Sequence, residues 1–356
     1  TLITIVLTYR NRELRIVENC FDALAAQTNQ SFKVLLVDYG SSPEFSEGLQ
    51  NTAKKYSFIT VIPCPVSGQL WSKCRAINIA LKQTETPYFL IGDIDSLFRK
   101  DFIDVALSLA SDKVMYFKYG FLAEEESKQK KEFEDYTIDF LAGEEVTGTT
   151  LFPTETLKSV NGYDEFYHGW GAEDTDIHVR MKNLGKEVVF YNKEILVLHQ
   201  WHAKAYRSKE STSPFHSTLE RANSNYLKIT RKTQRTTVNL NTDWGKLPDT
   251  SQYNKLDKAP DVILKIKPID FQITALLAQL KNYKDETVTI EITDVDKKQK
   301  SIQKVKRKLK KKYFNYLKME IVNNLLLETI INSYRNRPYN YQFNRQKGQI
   351  SLTLVF

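Results

Sequence analysis

Three acid-rich triplets and one histidine pair are the residues of this 356-residue chain best suited to chemistry. The triplets are Asp93-Ile94-Asp95, Asp174-Thr175-Asp176 and Asp294-Val295-Asp296. Composition alone yields roughly one such triplet in a chain of this length, so the surroundings must choose among the three. Only the first ends a buried-looking strand, "YFLIG", where carboxylates need partners or solvent. The stretch "VLHQWHAK" offers partners, because His199 and His202 follow an apolar run and their spacing lets one turn aim both imidazoles at a single ion. Two histidines and an aspartate leave positions open on an octahedral metal. Such mixed oxygen and nitrogen donors suit Mn²⁺ or Mg²⁺ better than a structural zinc.

"GWGAEDTDIHVRM" (Gly169 to Met181) crowds Glu173, Asp174 and Asp176 just after a Gly-Trp-Gly turn. Acids in the first turn of a helix are favoured by its dipole, and that alone explains one or two of them. The glycine hinge, the aromatic surface of Trp170 and the adjacent pair Glu173-Asp174 go further. A carboxylate placed there can accept a proton from an attacking hydroxyl.

The elements that must position these residues begin with four β-rich apolar runs, "LITIVLTY", "FKVLLVDY", "FITVIP" and "PYFLIGDID", separated by helical periodicity at 13–27, 44–56 and 71–84. Near-continuous apolar strands alternating with helices predict a parallel sheet covered on both faces, with ligands beyond the carboxyl ends of its strands. A helix at 154–159, another reaching about residue 184, and strands in "KEVVFYN" and "EILVLHQ" complete this region. The polar run from about 204 to 260 reads as an extended tail or linker. Beyond it, "DVILKIKP", "TVTIEITD" and "ISLTLVF" around helical stretches at 270–282 and 300–335 predict a small α+β appendage. The expected division is 1–205, 206–260 and 261–356.

Hydrophobic residues make up 41% of the chain, ordinary for a packed globular protein, and no apolar run approaches the ~20 residues of a membrane span. Cys20, Cys64 and Cys74 are odd in number and form no C-x-x-C pair, which favours a reducing, cytoplasmic setting over a disulfide framework. The start "TLITIVLTYRNR" lacks the basic flank of a signal peptide, and without an initiator Met it leaves room for residues upstream. The net charge of +8 is uneven: Lys297 to Lys312 holds ten basic residues and no acid, so the rest is near neutral. That excludes a globally basic nucleic-acid binder and leaves a local patch. One reading of the patch is a solvated amphipathic helix packed on the small domain. The other is peripheral docking on anionic inner-leaflet lipid.

The motifs "TYRNR", "VDYGSS", "SKCRAINIAL", "GDID", "EVTGTTLFPTETLKSVNGYDE", "GWGAEDTDIHVRM" and "HQWH" occur in an order and spacing that resemble inverting GT-A glycosyltransferases. The first half is similar to family 2 enzymes. Residues from about 146 to 202 resemble the galactosyltransferase domain of β-1,4-galactosyltransferases and bacterial chondroitin-type polymerases. The resemblance covers roughly 1–205 and implies a Rossmann-like GT-A fold and a UDP-sugar donor, galactose or N-acetylgalactosamine type favoured. By resemblance, Thr8, Arg10, Arg12 and Asp38 hold the nucleotide, Lys73, Arg75 and Asn78 line the same pocket, and Asp93 contacts the donor's ribose or sugar. Gly148 lets backbone approach the sugar, Trp170 stacks near donor and acceptor, Glu173 bonds a sugar hydroxyl, and Asp174 is the general base. Asp95, His199 and His202 hold the metal, although galactosyltransferases place Met where this chain has His199 and Gly where it has Ala172.

The implied reaction is transfer of the sugar to a carbohydrate or lipid-linked glycan acceptor in bacterial surface polysaccharide synthesis. Two rivals stand beside it. A nucleotidyltransferase on a similar scaffold would want a Gly-rich loop after the first strand, and "TYRNRE" has no glycine. A non-catalytic sugar- or nucleotide-binding protein would show a broken set of acids and metal ligands.

Overall fold

The structure, a computed structural model, describes residues 2–144, 148–203, 211–215 and 217–356. The "EVT" that opens the galactosyltransferase-like stretch, and part of the expected linker, lie outside the described residues. The chain divides into two compact units: Thr1–Cys64 with Trp71–Ala203 and Glu220–Leu247, and Pro65–Leu70 with Lys204–Leu219 and Pro248–Phe356.

The first unit is α/β. Its strands are β1 (Ile3–Tyr9), β2 (Phe32–Tyr39), β3 (Ile59–Cys64), β4 (Tyr88–Asp93), β5 (Ser96–Phe98), β6 (Val114–Phe117), β7 (Tyr119–Leu122), β8 (Ile138–Leu141), β9 (Thr150–Pro153), β10 (Val188–Tyr191) and β11 (Val197–His199). Its helices are α1 (Leu14–Ala25), α2 (Pro43–Ala53), α3 (Lys73–Lys82), α4 (Phe102–Leu109), the one-turn α5 (Glu124–Ser127), α6 (Thr154–Ser159) and α7 (Glu173–Asn183). Seven strands form one sheet in the order β10-β6-β9-β4-β1-β2-β3, in which β9 alone runs antiparallel to its neighbours.

Every residue of β1 is buried, as a central strand covered on both faces requires. Ile3, Ile5 and Leu7 pack with Val17, Phe21 and Leu24 of α1, while α3 lies against β1 and β2. The register puts Thr8 opposite Asp93 and Tyr9 opposite Asp38, so the polar strand ends line up along the sheet's carboxyl edge. A second sheet, β5-β11-β7-β8, sets His199 of β11 opposite Ser96 of β5 and Phe121 of β7.

The expected linker is corrected by the structure. It contains the seventeen-residue helix α8 (Ser217–Thr233), and residues 220–247 belong to the first unit. Asn223, Leu227 and Thr230 form its buried face at helical spacing, and two of these three are polar. Each bonds inward: Asn223 Nδ2 donates to the carbonyl of His168 (3.0 Å) and Thr230 Oγ1 to Asp176 (2.8 Å). A helix that buries hydrogen-bonding side chains carries no hydrophobic stripe for composition to reveal.

The second unit contains α9 (Thr250–Tyr253), α10 (Asp270–Gln279), α11 (Lys297–Lys308), α12 (Met319–Thr329), β12 (Val262–Ile266), β13 (Thr287–Thr293), β14 (Tyr339–Asn344) and β15 (Gln349–Val355). Its sheet runs β12-β13-β15-β14, with β12 parallel to β13 and the other pairs antiparallel. Alternating Val288, Ile290 and Ile292, Ile350, Leu352 and Leu354, and Tyr339, Tyr341 and Phe343 are buried, the period expected of one covered face. Val322, Leu326 and Ile330 are likewise buried.

Asp176 fixes α7. Its carboxylate pairs with Arg180 Nε at 2.7 Å, both side chains fully buried, and accepts from Tyr167 and Thr230 hydroxyls. Arg180 in turn donates to the carbonyls of Gly162 and Thr236. Removing one member of a buried, fully bonded pair strands the other charge. Asp176→Ala should therefore cost about 3–5 kcal/mol, read as a lowered urea midpoint. An unchanged midpoint would contradict this bracing role.

Candidate active site

The two ends of the sequence pattern meet through sheet register. Asp95 directly precedes β5, whose Ser96 faces His199, and the Gln200 N–H donates to the Asp95 carbonyl at 2.9 Å. The Gln200 side chain is locked by Asn19 and by the carbonyl of Ile16, so the turn carrying His202 leaves β11 in a fixed direction. His199 Nε2 lies 3.3 Å from Asp95 Oδ1, and His202 Nε2 lies 3.3 Å from Asp95 Oδ2. Arg12 Nη2 brings a guanidinium to 3.4 Å from Asp95 Oδ2. Burial opposes ionisation of Asp95, yet His199, His202 and Arg12 hold its carboxyl well below the usual carboxylate range.

This cluster fits a divalent cation. One ligand atom from each of the three residues lies within 4.8 Å of the others. Cis ligands of an octahedral ion with bonds of ~2.1 Å sit ~3 Å apart, close to the spacing seen. Asp95 Oδ1 is buried and accepts no hydrogen bond, an arrangement costly for a carboxylate that had only protein for company.

Beside it lies a second cluster built on Lys73, the first residue of α3. Its ammonium sits 2.9 Å from Asp93 Oδ1 and 3.3 Å from Asp174 Oδ2, bridging the tip of β4 to the start of α7. Tyr119 donates to Asp93 Oδ2 at 2.9 Å and shares a hydrogen bond with Thr149. Burial keeps that phenol protonated. Gly148 faces the same point: a Cβ there would lie 2.9 Å from Asp93 Oδ2 and Lys73 Nζ and 3.1 Å from Asp174 Oδ2. Glycine is what leaves this space open.

Asp174 Oδ2 is held by Lys73, whereas Oδ1 is buried without a hydrogen bond. Burial pushes the Asp174 carboxyl up to about 7; Lys73 opposes the rise, while Glu173 and Asp93 reinforce it. The side chain remains 23% exposed, so a substrate can reach it. The three acids of the 173–176 stretch thus divide: Asp176 is structural, Asp174 belongs to the cluster, and Glu173 stands partly exposed beside it.

The expected nucleotide-binding residues separate into two groups. Thr8 and Asp38 lie at the sheet's carboxyl edge, Asp38 accepting from the Ser41 N–H, and Arg10 ties the strand ends together through the Gly40 carbonyl. Trp170 is half exposed, its carbonyl held by Asn223. Asn78 departs from expectation. It is fully buried, donates to Glu165 and the carbonyl of Tyr163, and accepts from the Tyr163 N–H, which saturates its amide in a structural clamp. Arg75 is also buried, with Glu165 at 3.8 Å. Its position one helical turn from Asn78 explains why both turn toward the 163–165 loop.

Sequence reasoning missed Tyr119, Thr149 and the α8 brace. Aromatic residues in a short strand and polar residues in a polar run carry no local signal. It also missed an aromatic ladder leading away from His199, in which Phe121 is 4.8 Å from that imidazole and Phe140 stacks on Phe121 at 4.5 Å.

The fold and the paired clusters define an α/β domain with a candidate cation site at the carboxyl edge of its sheet. Residues 4–150 match the family described as Glycosyl transferase family 2, and residues 128–202 match the N-terminal domain of galactosyltransferase. The two matches overlap and run through β1 to β11 and both clusters, so this part of the chain is a GT-A glycosyltransferase domain. A curated relative, teichoic acid poly(glycerol phosphate) polymerase of Staphylococcus epidermidis, is 30% identical over 97 residues, covering 26% of this chain and only 12% of that protein. TarS residues 1–349 of S. aureus with UDP-GlcNAc is 14% identical with a TM-score of 0.47, over 66% of this chain and 69% of that one. In another TarS 1–349 structure the matched share is 60% of that chain. A Pyrobaculum calidifontis mannosyltransferase with GDP-Man and Mn²⁺ is 16% identical with a TM-score of 0.44, over 80% and 81% of the two chains.

Ala172 caps α7 with φ +73°, a left-handed conformation that costs an L-residue roughly 1–2 kcal/mol. Ala172→Gly should raise stability by about 1 kcal/mol, measured as a higher denaturation midpoint. A lower midpoint would show that the methyl group is held by packing instead.

Proposed function

We propose that the chain is a metal-dependent, inverting glycosyltransferase that moves a sugar from a UDP-sugar, of galactose or N-acetylgalactosamine type, to a glycan acceptor in surface polysaccharide synthesis. The observation that carries this reading is the meeting of Asp95, His199 and His202 beside Asp174, whose Oδ1 has no hydrogen-bond partner. Asp95, His199 and His202 would hold Mn²⁺ or Mg²⁺, whose charge offsets that of a diphosphate. Thr8, Arg10, Arg12 and Asp38 surround the place for uridine and diphosphate at the sheet's carboxyl edge, where open α/β sheets bind ligands. Asp93, held by Lys73 and Tyr119, and Gly148 would frame the sugar.

The Asp174 carboxylate takes the proton of the acceptor hydroxyl, and the acceptor oxygen bonds to the anomeric carbon as the carbon–oxygen bond to UDP breaks. The pair of electrons leaves with UDP, whose negative charge Arg12 stabilises. Lys73 anchors Oδ2 and so fixes the orientation of the Asp174 carboxylate. A single displacement inverts the anomeric centre, so an α-linked donor gives a β-glycoside. Half-exposed Trp170 and the Phe121–Phe140 ladder supply flat surfaces for sugar rings. We place the reaction in the cytoplasm, at the inner face of the membrane where a lipid-linked acceptor would be presented.

Asp174→Asn should retain UDP binding and lose transfer by ~10²-fold or more, the scale of general-base loss. Because the base works ionised and its carboxyl is shifted upward, kcat should rise with pH through about 7 and fall below it, whereas an ordinary aspartate would titrate near ~4. Initial rates of UDP release across pH test both statements. Near-normal turnover by Asp174→Asn, or a flat profile from pH 5 to 8, would remove Asp174 from this role.

A further inference from the structure

The basic segment forms α11, a twelve-residue helix in which no residue is buried. A helix of a globular protein ordinarily hides its apolar stripe against a core. Here Ile302, Val305 and Leu309, at i, i+3 and i+7 on one face, are 44%, 54% and 59% exposed. Tyr313 and Phe314 just beyond the helix are exposed as well, and the Phe314 ring lies 6.1 Å from Phe271, another exposed aromatic. The packed-helix alternative is thereby set aside, since the stripe it would bury is open.

The charges are equally unmatched. Of the ten cations between Lys297 and Lys312, Lys300 alone has a carboxylate partner among the described residues, Asp294 at 2.8 Å, while Arg307 lies over the Tyr313 ring. Eight lysines flank or oppose the apolar stripe with no acid to neutralise them. Nucleic acid or another soluble polyanion would account for the lysines but gives these six exposed apolar side chains no role. An anionic bilayer accounts for both, because the stripe enters the boundary between headgroups and acyl chains while lysine stems extend their ammonium groups to lipid phosphates. No helix among the described residues is long and apolar enough to cross a membrane, so contact through α11 would be peripheral.

We propose that α11, with Tyr313, Phe314 and Phe271, docks this chain on the surface of an anionic lipid bilayer. The inference rests on the exposed face of this helix and not on the transfer reaction, so each can fail without the other.

The test is co-sedimentation of the full chain with vesicles of phosphatidylcholine alone and with phosphatidylglycerol added, at low and high salt. Expected is binding to the anionic vesicles only, weakened by salt. Each lysine near the surface contributes roughly a fivefold factor, so Lys304→Glu with Lys308→Glu and Lys311→Glu should weaken binding at least ~10-fold. Ile302→Ser with Val305→Ser and Leu309→Ser should do the same while leaving every charge in place. All six positions are exposed, and unchanged thermal midpoints confirm that the variants fold. Equal binding to neutral vesicles, or none to anionic ones, would overturn the proposal. So would wild-type binding by the serine variant, which would show that the apolar stripe does not enter the bilayer.

Discussion

Three positively charged or imidazole side chains converge on one buried carboxylate, and the rest of the site depends on that convergence. Asp95 stands at the tip of the fourth strand with His199, His202 and Arg12 within 3.4 Å. None of these neighbours is local in sequence. The antiparallel pairing of β5 with β11 delivers His199, the Gln200 lock delivers His202, and the loop after β1 delivers Arg12. A carboxylate so placed would be a liability in a core built only for stability, since burying it costs several kcal/mol unless its charge is met. Its unbonded Oδ1 makes sense as a ligand atom.

The second cluster follows from the first by geometry. Asp93 lies two residues from Asp95, and Lys73 ties it to Asp174. One lysine between two carboxylates leaves the site with an excess of negative charge. Burial, with that excess, raises the Asp174 carboxyl. The helix that carries Asp174 is held by an entirely different interaction, the buried Asp176–Arg180 pair with its ring of backbone carbonyls. Neighbouring acids of one short stretch thus part ways, Asp176 bracing the helix while Asp174 meets Lys73.

Much of this was legible in the sequence where function and local pattern coincide. The first four strands, the helices between them and the polar residues at their ends follow from hydrophobic periodicity, and His199 and His202 follow from their place after a strand. What stayed hidden are long-range consequences of register and inward-facing polarity. Asn78 and Arg75 sit on a helix beside the site, and nothing local says that their side chains turn to the 163–165 loop. The α8 segment looked like a linker because Asn223 and Thr230 take positions where leucines would have announced a helix. Strand β14, "YNYQFN", alternates tyrosine and phenylalanine with polar residues and passed unread beside the longer helical stretch before it.

Asp95, His199 and His202 are proposed as a cation site serving a bound nucleotide diphosphate. Isothermal titration of UDP into the wild-type chain and the His199→Ala/His202→Ala variant, with and without Mn²⁺, tests it most directly. Mn²⁺ should strengthen UDP binding at least ~10-fold in the wild type and not in the variant. Equal UDP binding with and without the metal, or metal-dependent binding that survives loss of both imidazoles, would contradict it.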